Sequence, residues 1–184
     1  HGAGHFAEVF LDGAKCHISN VLGEIDKGWG PARAVMSNES AMIGGASGDN
    51  PQQLIELAHE LGNVDEPVIR QKLAVVYTRN KLLKLMSEKI STAVRKGMAP
   101  PIHPSIVKLY VANNRRLEGD LAQSLLGAAG VAVTANASKW AMELLHARYP
   151  ISIGGGTDEV HRNNLGEQAL GLPRDIRIDR GIPW

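Results

Sequence analysis

A carboxylate set among small and apolar neighbours, Glu39 in Ser37-Asn38-Glu39-Ser40-Ala41, is the first candidate for acid–base chemistry in this chain. Facing an apolar cleft it would be a usable base near neutral pH, and facing water it is an ordinary helix-surface glutamate. The residue types allow either. The second candidate is a glycine turn, Ile153-Gly154-Gly155-Gly156-Thr157-Asp158-Glu159. Glycines ahead of a helix that Thr157 can cap let backbone N–H groups approach a phosphate-bearing ligand. The spacing matches neither the mononucleotide nor the dinucleotide fingerprint, and a flexible turn before a capped helix accounts for the same residues. Asp158 and Glu159 would repel phosphate unless they point away.

Other reactive side chains carry less. Of the histidines, only His1 and His5 fall at the i, i+4 spacing of a helical metal pair, and they sit at the very start of the chain, so no metal site is expected. Cys16 and His17 are adjacent, and neighbours in a strand point to opposite faces, so one does not activate the other. Lys108, Arg115 and Arg116 read most simply as a solvated helix face or as subunit salt bridges.

These candidates must be held by regular elements. Phe6 to Leu11 forms a short apolar run ending at the turn signal Asp12-Gly13, and Cys16 to Val21 is a second extended piece; both are expected as strands or strand-like segments. From residue 27 onward the period becomes helical. A first helix carries Ala34, Val35 and Ala41 to Gly44-Gly45, and a second runs from Pro51, with Asn50 as cap, to a stop at Gly62. A long third helix starts at Asp65-Glu66-Pro67 and ends at Lys96-Gly97, and a fourth opens at Pro104 and ends at Gly127 or Gly130. A fifth covers about 135–149 and is closed by Pro150, and a last one begins at Thr157 and reaches Leu170. The short loop between the two longest helices predicts antiparallel neighbours. The fold class is therefore mainly α, an up-and-down four-helix-bundle-like domain over 27–184 with a short β remnant over 1–26. So few strands make no stable sheet by themselves.

Bulk properties narrow the function classes. The 184 residues carry 20 Lys plus Arg against 19 Asp plus Glu, a net charge of +1, which offers nucleic acid or an acidic membrane no uniform field. No apolar run approaches the roughly 18 residues that span a bilayer, and a lone Cys16 fits a reducing compartment, so a cytoplasmic location is expected.

Three stretches, in order, carry a family resemblance. Phe6-Ala7-Glu8-Val9-Phe10-Leu11-Asp12-Gly13 with Asn20-Val21-Leu22-Gly23-Glu24 and Gly28-Trp29 resembles the end of the middle β-domain of acyl-CoA dehydrogenases and the entry to their C-terminal helical domain. Leu125-Leu126-Gly127-Ala128-Ala129-Gly130 is similar to that family's glycine-rich turn between bundle helices. Gly154 to Asn163 followed by Leu170-Gly171-Leu172-Pro173-Arg174 resembles its terminal glycine–threonine helix and tail.

The resemblance implies an FAD enzyme that removes the α proton of an acyl-CoA thioester while the β hydrogen leaves as hydride to the flavin. Much of the family carries the base just before the Gly-Thr pair, where this chain has Gly155; a subset carries it on the first helix of the C-terminal domain, where Glu39 matches. The resemblance also implies Gly127, Gly155, Gly156, Thr157 and Glu159 as cofactor-binding residues, and association with a second copy or a related dehydrogenase subunit through the bundle. There are departures. Ser40 stands where an Arg commonly follows the base, and Ser124 stands where a Gln usually contacts the flavin's ADP part, with Gln123 one residue early. They suit the alternative of a non-catalytic partner subunit that serves assembly.

Overall fold

The structure is a computed structural model, and it describes residues 7–45, 50–132, 136–174 and 176. Among the described residues six α-helices follow one another: α1 (Trp29–Gly45), α2 (Asn50–Glu60), α3 (Pro67–Arg95), α4 (Pro104–Leu126), α5 (Asn136–Ile153) and α6 (Asp158–Asn164). The mainly α class holds.

The expected helix starts follow from local chemistry. Glu66 caps α3 by accepting the Ile69 N–H at 3.3 Å, with Pro67 in the first turn where its missing donor costs nothing. Pro104 opens α4 in the same way, and the cap is the His103 ring, whose Nδ1 accepts the Ser105 N–H at 3.2 Å. At the end of α2, Gly62 turns the chain with φ +70°, a value that glycine adopts freely.

Packing makes neighbouring long helices antiparallel. Lys72 at the start of α3 reaches Ser124 near the end of α4, while Asn80 further along meets Glu118 further back. Asp120 pairs with Arg148, and Arg116 bonds Ser152, so α5 runs against α4 in turn. One apolar cluster joins Leu54 and Leu57 of α2, Leu73 and Val76 of α3, Leu121 and Leu125 of α4, and Ala141 and Leu144 of α5. A second, toward the other end of α4, joins Leu83, Val107 and Val111. α4 packs against α1, α2, α3, α5 and α6 and is the centre of the arrangement. Between α3 and α4, Glu118 is 1% exposed and accepts hydrogen bonds from Asn80, Asn114 and Arg115, which pins the register with polar contacts inside the apolar seam.

Two expectations require correction. The segment before α1 contains no strand among the described residues. Residues 7–28 are exposed and irregular apart from a 3-10 turn at Ile18–Asn20, and Phe10 is 85% exposed. An isolated extended piece has no ladder partner to satisfy its backbone, so apolar β-branched patterning does not suffice for strand formation. Phe6 lies outside the described residues. Pro150 does not close α5, which continues to Ile153. Proline removes one hydrogen bond to the preceding turn, and the helix continues past that single loss, with Gly154 N–H to Pro150 O at 2.7 Å at its end.

Candidate active site

Trp29, Arg33, Met36 and Glu39 recur three and four residues apart, which sets them on one face of α1. That face walls a cavity of about 430 Å³ whose other side is made by Gly155, Gly156, Val160, His161 and Asn164. Glu39 and the glycine turn, 116 positions apart in the chain, therefore border the same space. The volume falls within the range of small-ligand sites. Glu39 itself is exposed although it lines this cavity, so the described residues do not supply the burial that the sequence reading asked of it.

The turn is built for close approach. Gly155 has φ +68° and Gly156 φ +99°, where an L side chain is strained. A Cβ on Gly156 would also stand 3.1 Å from His161 Nε2. Thr157 caps α6, its Oγ1 accepting the Val160 N–H at 3.2 Å, so the hydroxyl orients the helix whose first turn continues the cavity wall. His161 is buried beneath the turn, with Nε2 2.9 Å from Gly155 O and Nδ1 2.9 Å from Ser105 Oγ.

The acidic pair after Thr157 separates in space. Asp158 turns inward, 3% exposed, and accepts from Lys108 Nζ at 3.1 Å and from the Arg116 guanidinium, which also bonds Ser152. Burial alone would push its carboxyl up, but the hydrogen bonds from Lys108 and Arg116 outweigh that and hold it below the usual carboxylate range. Glu159 points outward and pairs with Arg162 at 3.2 Å, away from the cavity. Only the outward-facing acid remains free to meet solvent.

This arrangement overturns the reading of Lys108 and Arg116 as a solvated face or subunit bridges. Lys108 is 2% exposed, and both residues pair within the chain. Arg115 bonds the buried Glu118 at 2.9 Å. Ser105, Lys108, Ala112 and Arg116 form one helical stripe on α4. Their partners lie on α5 and α6, dozens of residues away, and no local pattern could reveal that the stripe faces protein instead of water.

Gly127 stands apart. It follows the last residue of α4 with φ +53°, donates its N–H to Gln123 O, and has open space where a side chain would lie. Ser105 and Lys108 tie the glycine turn to the opposite end of that helix, roughly 33 Å away at 1.5 Å per residue. Near Gly127, Gln123 points its amide at Met142 Sδ, 3.6 Å away, and Ser124 Oγ bonds Asp120 O at 2.7 Å.

The His1–His5 pair lies outside the described residues, and among the described residues no cluster of three or more His, Cys, Asp or Glu side chains is placed to hold a metal ion. No helix among them is long and apolar enough to cross a membrane. Sequence reasoning passed over His161, Arg33 and Trp29 as site residues. The four-residue step from Trp29 to Arg33 was the available signal for those two, and nothing local marked His161.

Comparison with known proteins gives a consistent result. The family model for the acyl-CoA dehydrogenase C-terminal domain matches residues 26–170. Acyl-CoA dehydrogenase IpdE1 of Mycobacterium tuberculosis is 30% identical over 185 residues, covering 96% of this chain and 46% of its own length. IpdE1 of Mycolicibacterium smegmatis is also 30% identical, over 96% of this chain and 45% of its own length. Acyl-CoA dehydrogenase FadE34 of M. tuberculosis is 28% identical over 92% of this chain and 23% of its own length. No solved structure matches. The chain thus spans a little under half the length of the IpdE1 relatives.

Proposed function

The chain belongs to the acyl-CoA dehydrogenase family, and from that premise we propose that it forms the C-terminal helical part of an FAD-dependent enzyme that dehydrogenates an acyl-CoA thioester between its α and β carbons. Glu39 is the base that takes the α proton, and Gly155, Gly156 and Thr157 lie against the flavin. The observation that carries this reading is the shared cavity: a carboxylate on α1 borders the same space as two glycines at positive φ, whose backbone lines it.

The residues fit the cofactor at this turn. Its inward acid is already neutralised by Lys108 and Arg116, which removes one of the two charges that would repel phosphate. FAD bound there supplies the acceptor for the β hydrogen and its electron pair. Glu159 serves at the outer edge of the turn, and Gly127 marks a second contact region at the far end of α4. The bundle joins a second copy or a related dehydrogenase subunit.

Replacing Glu39 by Gln in the full-length protein tests the base. Turnover of an acyl-CoA is expected to fall by about 10²- to 10⁴-fold with acyl-CoA binding retained. Turnover within a few-fold of the parent rejects the assignment.

A second reading, a non-catalytic assembly subunit, is favoured by the far end of α4. Gln123 is engaged with Met142, and the Ser124 hydroxyl, in the slot where a Gln usually contacts the flavin's ADP part, is taken up by Asp120 O of its own helix and by Lys72. Colour separates the two. A yellow full-length protein bleached by acyl-CoA supports the enzyme, and a colourless one that still associates supports the assembly subunit.

A further inference from the structure

Two successive glycines at positive φ have more backbone freedom than any other pair, so a site edge made from them needs something to hold it. We propose that His161 is the positioning residue that does so, clamping the Gly155–Gly156 peptide at the cavity edge through an Nε2–H donated to the Gly155 carbonyl.

The ring's hydrogen bonds determine its tautomer. A carbonyl oxygen only accepts, so Nε2 carries a proton; in the neutral ring Nδ1 is then bare and accepts from the Ser105 hydroxyl at 2.9 Å. Both nitrogens are engaged by protein, and the ring is 7% exposed, so His161 is no proton carrier for a substrate although it borders the cavity with Glu39. Its position is fixed from behind. Ser105 lies one helical turn from Lys108 on α4, and Lys108 holds Asp158, so ring and helix are tied to the same stripe. The Gly155–Gly156 peptide is trans, so turning its carbonyl to the ring sends the Gly156 N–H the opposite way. His161 thereby sets the direction of a backbone donor at the edge of the cavity. What that edge binds rests on the function proposed above; the clamp does not.

The test uses ¹⁵N-labelled protein. Long-range imidazole spectra at neutral pH are expected to show His161 protonated at Nε2, and a proton on Nδ1 alone overturns the clamp. His161→Gln keeps an N–H able to reach the carbonyl, and the Gly156 amide resonance is expected to stay near its parent position. His161→Ala removes the donor, so that resonance is expected to move, and the full-length protein's affinity for FAD to fall about tenfold. An unmoved resonance in the alanine variant, or a glutamine variant that behaves like it, overturns the proposal. If His161→Ala does not fold, Ser105→Ala frees only Nδ1; the Gly155 carbonyl still selects the Nε2–H tautomer and the Gly156 resonance is expected to stay near its parent position, and a ring protonated at Nδ1 alone is a refutation. Resonances that respond while FAD and acyl-CoA affinities stay unchanged leave the clamp standing and reject the turn as their site.

Discussion

Asp158 is a buried anion on which two cations depend. Its carboxyl is pushed up by burial and pulled down further by hydrogen bonds from Lys108 and Arg116, and the net displacement is downward from 3.8. A group whose folded value lies below its unfolded one stabilises the fold above the unfolded value, and that contribution is lost as pH falls through the folded one. Stability measured by urea unfolding is therefore expected to be flat, as far as this group is concerned, from about pH 5 upward and to decline below about pH 4. Asp158→Asn is expected to remove that part of the acid slope. It leaves Lys108 buried without a counter-charge, and breaking a buried pair in this way costs about 3–5 kcal/mol at neutral pH. Parent-like stability of the variant at pH 7 would mean that Lys108 finds water, contrary to the geometry. Nothing in Arg115-Arg116 or Lys108 distinguished this role from a solvated face, because the deciding fact is which element covers the stripe.

Gly119 shows the same limit at the scale of helices. Glycine in a helix interior is unfavourable by about 1 kcal/mol relative to alanine, so local propensity alone predicts that Gly119→Ala stabilises α4. The packing reverses the sign. A Cβ at Gly119 would stand 2.9 Å from Leu145 Cα and 3.0 Å from Leu144 O, backbone atoms of α5 that cannot rotate aside. The substitution must spread the two helices, and overpacking of this kind costs about 1–3 kcal/mol. A lower melting temperature is expected, and a raised one would refute the close α4–α5 approach. Elements were legible wherever the deciding chemistry was local, as at Glu66-Pro67 and Pro104. They were misread where it was not. Strands before residue 27 needed partner strands, and α5 passes Pro150 because one missing donor does not end a helix whose bonds resume beyond it, as Gly154 N–H to Pro150 O shows. The candidate site divides in the same way: Glu39 and Gly155-Gly156-Thr157 could each be singled out by type, but their common cavity is a property of α1 and α6 both meeting α4.

That dependence on α4 extends to the whole molecule. The helix supplies Leu121, Ala122 and Leu125 to the main core at one end and Ser105 and Lys108 to the glycine turn at the other. A protein organised in this way should open as one unit around α4, with the exposed segment 7–28 outside it. Amide hydrogen exchange is expected to be slowest in the middle of α4 and near the intrinsic rate over 7–28. Leu121 is 1% exposed, and Leu121→Ala is expected to cost about 2–5 kcal/mol. If α6 is held by α4 and by little else, its protection must fall in that variant together with α4's, although Leu121 lies at the other end of the helix. An α6 whose exchange ignores the loss would show that the glycine turn is stabilised independently of the bundle, and that the site's geometry does not depend on the core.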